Sequence, residues 1–453
     1  MLEARQYYTD FGVLPRAALT EGMNRFLWSF HLINGSWGWQ LLLLTVTVAA
    51  SLAMAAGFRT GVATVVVWAL TVSVQARNEL VLDGGDVVHR VLLFWAMFLP
   101  LGAVWSIDSL RRARVTEART ETTVGTAAFR LQMAVIFVFA ALLKTGDPWR
   151  KSFDAVWYTL HWDVYLTRFG IWLGQFPDIL RWMTRATLVI EGIVPFGLFV
   201  PVAPVQVLAM AGVVSLHMGF VLCMHLLMFS GVMVVGWTTF APGWLWDKLG
   251  VPADMPPAWR DRLTRLTENW PLHANGDRQP WFDRHAGQGK ALAAILLVYM
   301  LAWNVRTLDP KRLTRFFPAS MNALGYVLRI DQHWNMFAPS PVNEDGWLVV
   351  PAKLASGGMV DLFRDGAPLS WDRPASIADT YKNRRGRKYY WAVTSADAPK
   401  TREQFARYLC RAWPEQSVEE LVSFEIVLMH EVAKPDLTIT APDKMLLWKQ
   451  SCK

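Results

Sequence analysis

Charged side chains and cysteines are scarce in this sequence of 453 residues. Only 18% of the residues are charged and 53% are hydrophobic, with 24 Trp, whereas about a quarter of the residues are charged in soluble globular domains. This composition excludes an ordinary soluble protein and indicates an integral membrane protein in contact with lipids. The net charge of +8 does not indicate nucleic-acid binding, because the basic residues stand between apolar segments, where they would face anionic lipid.

Several site-forming motifs are also missing. No P-loop, GxGxxG or Gly-x-Ser-x-Gly pattern occurs. Cys223, Cys410 and Cys452 show neither metal-ligand spacing nor a disulfide framework. Cys410 and Cys452 could pair if their domain faced an oxidising compartment, but the unpaired state is the favoured interpretation. His217 and His225 are eight residues apart and do not share a helix face, so no metal site is expected. With nucleotide-binding, nucleophile-elbow and metal-ligand motifs missing, acid–base catalysis is the remaining kind of chemistry that the sequence suggests.

Hydropathy divides the chain into three parts. Residues 1–16 form an N-terminal cytoplasmic segment, 17–307 a transmembrane domain with a soluble loop at 247–290, and 308–453 a C-terminal extramembrane β-rich domain. The predicted fold class is an α-helical polytopic membrane protein of about nine spans with a small α+β domain. The spans, of which the first is weak, are predicted near 17–34, 37–56, 60–76, 91–105, 131–143, 187–200, 205–223, 225–244 and 292–305.

Basic loops set the predicted orientation. With nine spans, Arg59, the cluster Arg111–Arg119 and the 247–288 loop share the side of the N-terminus, in agreement with the positive-inside rule. We therefore predict a multi-pass protein of the cell (inner or plasma) membrane with a cytoplasmic N-terminus and the C-terminal domain outside. In that domain we expect a hairpin (347–354 and 360–363), a helix (401–413) and a strand (421–432). The basic run Arg384–Lys388 is interpreted as a solvated turn or a lipid contact.

A lysine ends the most apolar span. Leu131–Leu143 is interrupted only by Gln132, and Lys144 is followed by a Gly146-Asp147-Pro148 break and an aromatic-rich amphipathic segment from Trp149 to Trp162. Lys144 could snorkel to the membrane interface. Alternatively, the amphipathic segment could roof a cavity in which the desolvated amine acts as a general base, provided that no carboxylate such as Asp147 stabilises its charge.

Five groups of residues resemble the vitamin K-dependent gamma-glutamyl carboxylases and their bacterial relatives, the HTTM (horizontally transferred transmembrane) domain proteins. The segment from Arg130 through Gln132 and Lys144 to Trp149 resembles the family's catalytic-lysine segment. Arg77-Asn78-Glu79 and Ser106-Ile107-Asp108 stand where the family has Asn-Asn-His and Ser-Val-Asp. His217 precedes Met228-Phe229-Ser230 at the family's spacing, and His333 to Pro339 resembles the start of its extramembrane β domain.

The resemblance implies a lyase-type enzyme with a reduced, vitamin K hydroquinone-like quinone, O2 and CO2 as its cofactors. Lys144 matches the base that deprotonates the quinol, His217 a histidine that orients an oxygen, and Asn78 a third residue of the site. Arg130, Trp149 and Met228 are the candidate cofactor-binding residues. These implications predict that Lys144, His217 and Asn78 converge on one outward-facing cavity.

One departure from the family keeps a second function open. Glu79 replaces the histidine of the Asn-Asn-His motif, which puts carboxylation itself in question. Other HTTM proteins assist the production of a secreted peptide toxin, so the alternative is a non-enzymatic maturation or export partner of a secreted peptide or protein. The two alternatives differ at Lys144: an enzyme needs its free amine, whereas a scaffold would tolerate arginine.

Overall fold

A bundle of helices forms the membrane part of the chain. The computed structural model describes residues 2–20, 24–110, 123–252, 254–267 and 286–452. Within these residues, five helices are long and apolar enough to cross a membrane: Trp37–Ala55, Thr60–Arg77, Val124–Leu143, Ala203–Cys223 and Gly287–Leu308. Three shorter helices pack against them: Gly84–Ala96, Pro177–Gly192 and Leu227–Trp237. These eight are called the bundle helices.

Short helices connect the bundle helices and flank them. Their bounds are Leu2–Tyr8, Arg16–Thr20, Ile107–Leu110, Asp147–Arg150, Ala155–Thr159, Arg168–Leu173, Val194–Gly197, Gly243–Lys248, Pro257–Thr267, Pro310–Leu313 and Ala319–Leu328. The helix Pro257–Thr267 lies within the stretch predicted as a soluble loop. The last bundle helix begins at Ala286 rather than at 292.

Aromatic and aliphatic side chains fill the centre of the bundle. Trp95, Met133, Trp237 and Met300 are all fully buried there and belong to one continuous apolar cluster. In contrast, Gln40 is the only buried residue of the helix Trp37–Ala55. An apolar helix that is exposed in an isolated chain is suited to contact with lipid hydrocarbon.

The C-terminal domain is built on one antiparallel sheet. Its strands are β1 (Glu344–Val349), β2 (Pro351–Leu354), β3 (Met359–Asp361), β4 (Ala367–Pro368), β5 (Leu421–Val432) and β6 (Asp443–Ser451). The long strand β5 pairs with β1 and β2 along one side and with β6 along the other. The predicted hairpin is confirmed in part as β2 and β3, because its first strand, predicted at 347–354, is divided between β1 and β2, and β1 pairs with β5 instead. The strand predicted at 421–432 is confirmed as β5.

Two helices cover this sheet, Arg384–Thr394 and Pro399–Ala412. The second confirms the helix predicted at 401–413. A disulfide joins Cys410 near the end of this helix to Cys452 after β6, with 5.5 Å between the Cα atoms. The unpaired state favoured from the sequence was wrong, because the two cysteines are 42 residues apart and only the packing of the helix against β6 brings them together.

The N-terminal segment belongs to the same core as the sheet. Tyr7 and Val13 are buried among side chains of the sheet domain such as Leu348 and Tyr389. Arg5 forms an ion pair with Glu415, and the Tyr7 and Tyr389 rings lie 6.2 Å apart. One hydrophobic core cannot be shared across a bilayer. The structure thus packs the N-terminal segment against the C-terminal domain, and the side of the membrane on which each lies stays a prediction.

Three predicted spans differ from the helices observed. Residues 24–34 form turns and a 3-10 helix, Phe30–Leu32, so no span-length helix occupies 17–34, of which 21–23 lie outside the described residues. The span expected at 91–105 is the helix Gly84–Ala96, which starts early because Asp83 and Asp86 form a capping box. The span expected at 187–200 is Pro177–Gly192, which begins at a helix-initiating proline.

The basic run at 384–388 is neither a solvated turn nor a lipid contact. It forms the first turns of the helix Arg384–Thr394. Arg384 and Arg385 both form ion pairs with Asp86, at 2.9 and 2.8 Å. The run therefore attaches the C-terminal domain to the polar residues at the start of a bundle helix. The Arg111–Arg119 cluster lies outside the described residues.

Candidate functional site: a buried lysine–glutamate pair

Lys144 lies inside the protein at the end of its helix. The helix Val124–Leu143 stops here because the Lys144 backbone leaves the helical region, at ψ 71°, before the Gly-Asp-Pro turn. Arg150 closes the helix end, since its Nε donates to the carbonyl oxygen of Lys144 (2.7 Å) and its Nη2 to that of Ala141 (2.8 Å). Only 1% of the Lys144 surface is exposed. The side chain does not snorkel to the membrane interface.

A carboxylate from another helix meets the amine. Lys144 Nζ lies 2.7 Å from Glu191 Oε2, and Glu191 is 5% exposed near the end of the helix Pro177–Gly192. The same nitrogen is 3.4 Å from the Ala140 carbonyl oxygen and 5.1 Å from the centre of the Trp149 ring. A buried ion pair offsets the loss of hydration of its two charges only when its geometry is good and further hydrogen bonds reach the charged atoms. The contacts with Ala140 and Trp149 thus hold the ion pair in place.

The expected carboxylate was a different one. Asp147 is 71% exposed and pairs with Lys151 on the surface. Glu191 lies inside the span predicted at 187–200, and its contact with Lys144 was not predicted. The two residues are 47 positions apart, so only the packing of their helices shows the contact.

Trp149 covers the Lys144 side chain, and the segment 333–340 holds Trp149 in place. Trp149 is 2% exposed, and its Nε1 donates to the Phe337 carbonyl oxygen (2.8 Å). The Gly146 nitrogen donates to the Pro339 carbonyl oxygen (2.8 Å). The segment that resembles the start of the family's β domain therefore lies directly over the turn after Lys144. Its role in closing the site was not predicted.

The same segment is anchored deeper in the bundle. Gln132 Nε2 donates to Gln332 Oε1 (2.8 Å), and this oxygen also accepts from Trp334 Nε1 (2.8 Å). Both glutamines are buried. Gln132 was noted only as an interruption of an apolar run. Through its hydrogen bond to Gln332, the Gln132 amide holds the start of the segment 333–340, which contacts Trp149.

His217 has an entirely aromatic environment. It is fully buried on the helix Ala203–Cys223, with its ring 5.6 Å from Phe137 and 5.4 Å from Phe229. Neither ring nitrogen has a hydrogen-bond partner among the described residues. Phe137 precedes Lys144 by seven residues on the same helix, so His217 packs against the Lys144 helix about two turns before its end.

Asn78 forms hydrogen bonds to the backbone of the N-terminal segment and of its own turn. Its Nδ2 donates to the Tyr7 carbonyl oxygen (2.9 Å), and its Oδ1 accepts from the Leu80 nitrogen (3.1 Å). The neighbouring Glu79 contacts Arg329 at 3.2 Å. These bonds occupy both ends of the Asn78 amide and hold the N-terminal segment to the bundle.

The remaining candidates are spread along the bundle. Arg130 donates from Nε to the Thr239 carbonyl oxygen (3.0 Å), and it precedes Lys144 by fourteen residues, or about 20 Å of helix. Met228 is half-buried on the helix Leu227–Trp237. Of the six predicted site residues, the described contacts bring together only Lys144 and Trp149.

Two grooves of the described surface lie away from this pair. One of about 460 Å³ is lined by Ala203, Pro204 and Trp244 among others, and one of about 400 Å³ lies on the sheet beside Lys353 and Lys449. Convergence of Lys144, His217 and Asn78 on one cavity stays a prediction.

The fold and the pair define a mostly helical protein that has, among the described residues, five helices apolar enough to span a membrane, a C-terminal sheet domain and a buried lysine–glutamate ion pair. No protein-family model, no curated protein and no solved structure matches the chain.

Proposed function

We propose that the chain is a membrane enzyme of the HTTM and gamma-glutamyl carboxylase type, in which Lys144 is the general base. The observation that carries this proposal is the enclosure of the Lys144 amine, which is 1% exposed and lies 5.1 Å from the centre of the Trp149 ring. A lysine that served only to meet lipid headgroups would reach water, whereas this one is enclosed beneath Trp149. A base enclosed with its own proton acceptor is suited to proton transfer away from water.

The condition that no carboxylate stabilises the Lys144 charge is not met, because Glu191 lies 2.7 Å away. Lys144 therefore acts as a base only after Glu191 has taken its proton. The ammonium passes one proton to the Glu191 carboxylate, which leaves a free amine next to a neutral carboxylic acid. The amine then takes the proton of a substrate hydroxyl and returns to the ammonium state. A reduced quinone is the substrate that the family resemblance implies, and Trp149 is the aromatic side chain beside the Lys144 amine. The reduced quinone, once deprotonated, would supply the electrons for reaction with O2.

The decisive experiment is aerobic epoxide formation from reduced quinones by purified protein in detergent. We expect Lys144→Ala, Lys144→Arg and Glu191→Gln each to lower the rate by at least about 100-fold, because general-base catalysis contributes roughly 10²–10⁴-fold. The matched control is Lys151→Ala, whose side chain is 74% exposed in a surface pair. Full activity of Lys144→Arg would contradict the proposal, since a guanidinium does not act as a base at neutral pH.

The second candidate is a non-enzymatic maturation or export partner of a secreted peptide. One observation favours it: the Lys144 amine is already hydrogen-bonded to Glu191 and Ala140, as in a structural ion pair. On this alternative Lys144→Arg retains the partner function, and Lys144→Ala acts only through lost stability of about 3–5 kcal/mol. Absence of epoxide with any quinone, together with a co-purifying peptide, would select it.

We further propose eight membrane crossings, one for each bundle helix, in the cell membrane. An even number places the N-terminal segment and the C-terminal domain on one side, as their shared core requires. Arg59 and the 247–267 region then lie at the opposite end, where Trp105 Nε1 donates to the Pro252 carbonyl oxygen. The positive-inside rule makes that end cytoplasmic. The sheet domain with its disulfide is then outside, in an oxidising compartment.

A further inference from the structure

An apolar groove runs along the exposed side of one bundle helix. Its volume is about 460 Å³, and it is lined by Ala203, Pro204, Val207, Leu208, Ala211 and Trp244. The first five residues belong to the helix Ala203–Cys223, and Trp244 belongs to the short helix Gly243–Lys248. Apart from the Trp244 indole nitrogen, the lining side chains carry no polar atom. The groove therefore suits a hydrocarbon and not a polar ligand.

The length of the groove distinguishes between two kinds of hydrocarbon occupant. Ala203 and Ala211 are eight residues apart, which corresponds to about 12 Å of helix. This is close to the depth of one leaflet, because the hydrocarbon core of a bilayer is ~30 Å thick. A single acyl chain fills one leaflet, whereas a second transmembrane helix would extend through both. The groove thus fits a lipid chain better than a helix.

One end of the groove lies at the level of the lipid headgroups. The membrane-length helix begins there at Ala203, and the charged region 247–267 continues directly from the helix Gly243–Lys248. Trp244 is 44% exposed, and tryptophan is enriched where hydrocarbon meets headgroups. In the topology proposed above this end is cytoplasmic, and the cytoplasmic leaflet carries anionic lipids.

A basic side chain stands beside this end of the groove. Lys248 follows Trp244 by four residues, so the two share a face of the short helix, about 6 Å apart along its axis. Lys248 is exposed and forms no ion pair with any described residue. The adjacent Asp247 points about 100° away around the helix. The groove therefore combines an apolar wall with a free positive charge at its outer end.

We propose that the groove binds one anionic phospholipid, with an acyl chain between the helix Ala203–Cys223 and Trp244 and the phosphate at Lys248. Burial of the chain supplies affinity, and the lysine selects the charge of the headgroup. The lipid joins the short helix to the bundle. This site goes beyond the proposed function, since neither Lys144 nor Glu191 takes part, and only the leaflet depends on the proposed topology.

Native mass spectrometry of the full-length protein in detergent measures this binding. The probes are palmitoyl-oleoyl phosphatidylglycerol and palmitoyl-oleoyl phosphatidylcholine, which have the same acyl chains and differ in headgroup charge. We expect saturable binding of one phosphatidylglycerol, about fivefold tighter than that of phosphatidylcholine, which is the effect of one basic residue near an anionic lipid. Lys248→Gln should abolish this preference. Its matched control is Lys290→Gln, an exposed lysine near the start of the last bundle helix and outside the groove lining.

A second variant tests the seat of the acyl chain. Ala211→Phe should weaken the binding of both lipids at least about tenfold, because the ring occupies the space of the chain. Ser215→Phe is the matched control, since Ser215 is exposed one turn further along the same helix and does not line the groove. Phosphatidylglycerol should also raise the melting temperature of the wild type and of both controls, but not that of Ala211→Phe.

Three results would overturn the site. The first is equal binding of phosphatidylglycerol by the wild type and Ala211→Phe. The second is a wild type that does not distinguish the two lipids, or a preference that Lys248→Gln retains. The third is a wild-type dimer that Ala211→Phe dissociates, which would assign the groove to a second copy of the chain. None of these results affects the proposed function, which the epoxide assay on the Lys144 variants tests separately.

Discussion

At the scale of single residues, burial rather than residue type distinguishes the candidate site lysine from an ordinary surface lysine. Lys144 and Lys151 are both lysines beside the same turn, but one is enclosed with Glu191 and the other pairs with Asp147 in solvent. Exposed pairs contribute little to stability, whereas removing one member of a buried pair leaves an uncompensated charge. The sequence marked Lys144 and Glu191 individually, because ionisable residues in apolar segments are costly. Their pairing was visible only in the structure.

A second buried acid, Asp345 on β1, predicts how stability depends on pH. Its Oδ2 accepts from the Asp163 nitrogen (2.5 Å), and its Oδ1 is buried without a partner among the described residues. Burial, together with the nearby Asp163 charge, raises the pKa of Asp345 to about 8. The folded protein therefore keeps a proton that the unfolded chain releases above its ordinary pKa of 3.8.

Unfolding free energy should consequently fall as the pH rises from about 4 to about 8, by up to ~1.4 kcal/mol per pH unit. Asp345→Asn should flatten this dependence and be more stable than the wild type at pH 8.5. Thermal unfolding at several pH values from 5 to 8.5 checks it, with the exposed Asp397→Asn as a control that should follow the wild type. Parallel curves for wild type and Asp345→Asn would refute the assignment.

At the scale of elements, the turn after Lys144 is defined by its contact with the segment 333–340. A Cβ on Gly146 would lie 1.8 Å from Ser340 Oγ and 2.7 Å from the Pro339 carbonyl oxygen. The serine can rotate but the backbone carbonyl cannot move without shifting the segment. Glycine at this position therefore permits the close approach that brings Trp149 over the lysine.

Gly146→Ala should destabilise the protein by about 1–3 kcal/mol, as overpacking does, and should lower epoxide formation by displacing Trp149. The matched control is Gly219→Ala, where a Cβ meets nothing within 4 Å. Melting temperature and quinone epoxidation are measured for both variants. Unchanged values for Gly146→Ala would show that the segment 333–340 is not held against the turn.

At the scale of the whole molecule, the shared core of the N-terminal segment and the sheet domain determines the topology. Arg411 Nη2 donates to the Gly12 carbonyl oxygen (3.0 Å), and Arg77 in a bundle helix donates to that of Leu14 (2.9 Å). The segment is thus held between the bundle and the sheet. With the eight crossings proposed above, this segment and the sheet domain lie on the same side of the membrane, whereas the charge pattern of the sequence predicted nine crossings.

This topology predicts the accessibility of single cysteines introduced into a Cys223→Ala background. Glu3→Cys and Lys382→Cys should react with a membrane-impermeant maleimide on intact cells, because both positions are exposed on the domain side. Lys248→Cys should react only after lysis. Labelling of Glu3→Cys and Lys382→Cys from opposite sides of the membrane would contradict the even number of crossings.

The sequence by itself determined the properties that depend on neighbours along the chain. Apolar length identified the helices Trp37–Ala55, Thr60–Arg77 and Ala203–Cys223, because a continuous apolar run has no other stable state in lipid. Alternation and turn residues identified the β2–β3 hairpin and β5. Helix boundaries were less well predicted where polar caps lie inside the apolar region, as at Asp83.

Only the tertiary structure decided which distant residues meet. Glu191 reaches Lys144, Cys452 reaches Cys410, and Asp86 reaches Arg384 and Arg385 because helices and strands far apart in sequence pack together. No local pattern encodes such contacts, since a buried charge or thiol shows its residue type in the sequence but not its partner. For the same reason the packing of the N-terminal segment into the core of the sheet domain was visible only in the structure.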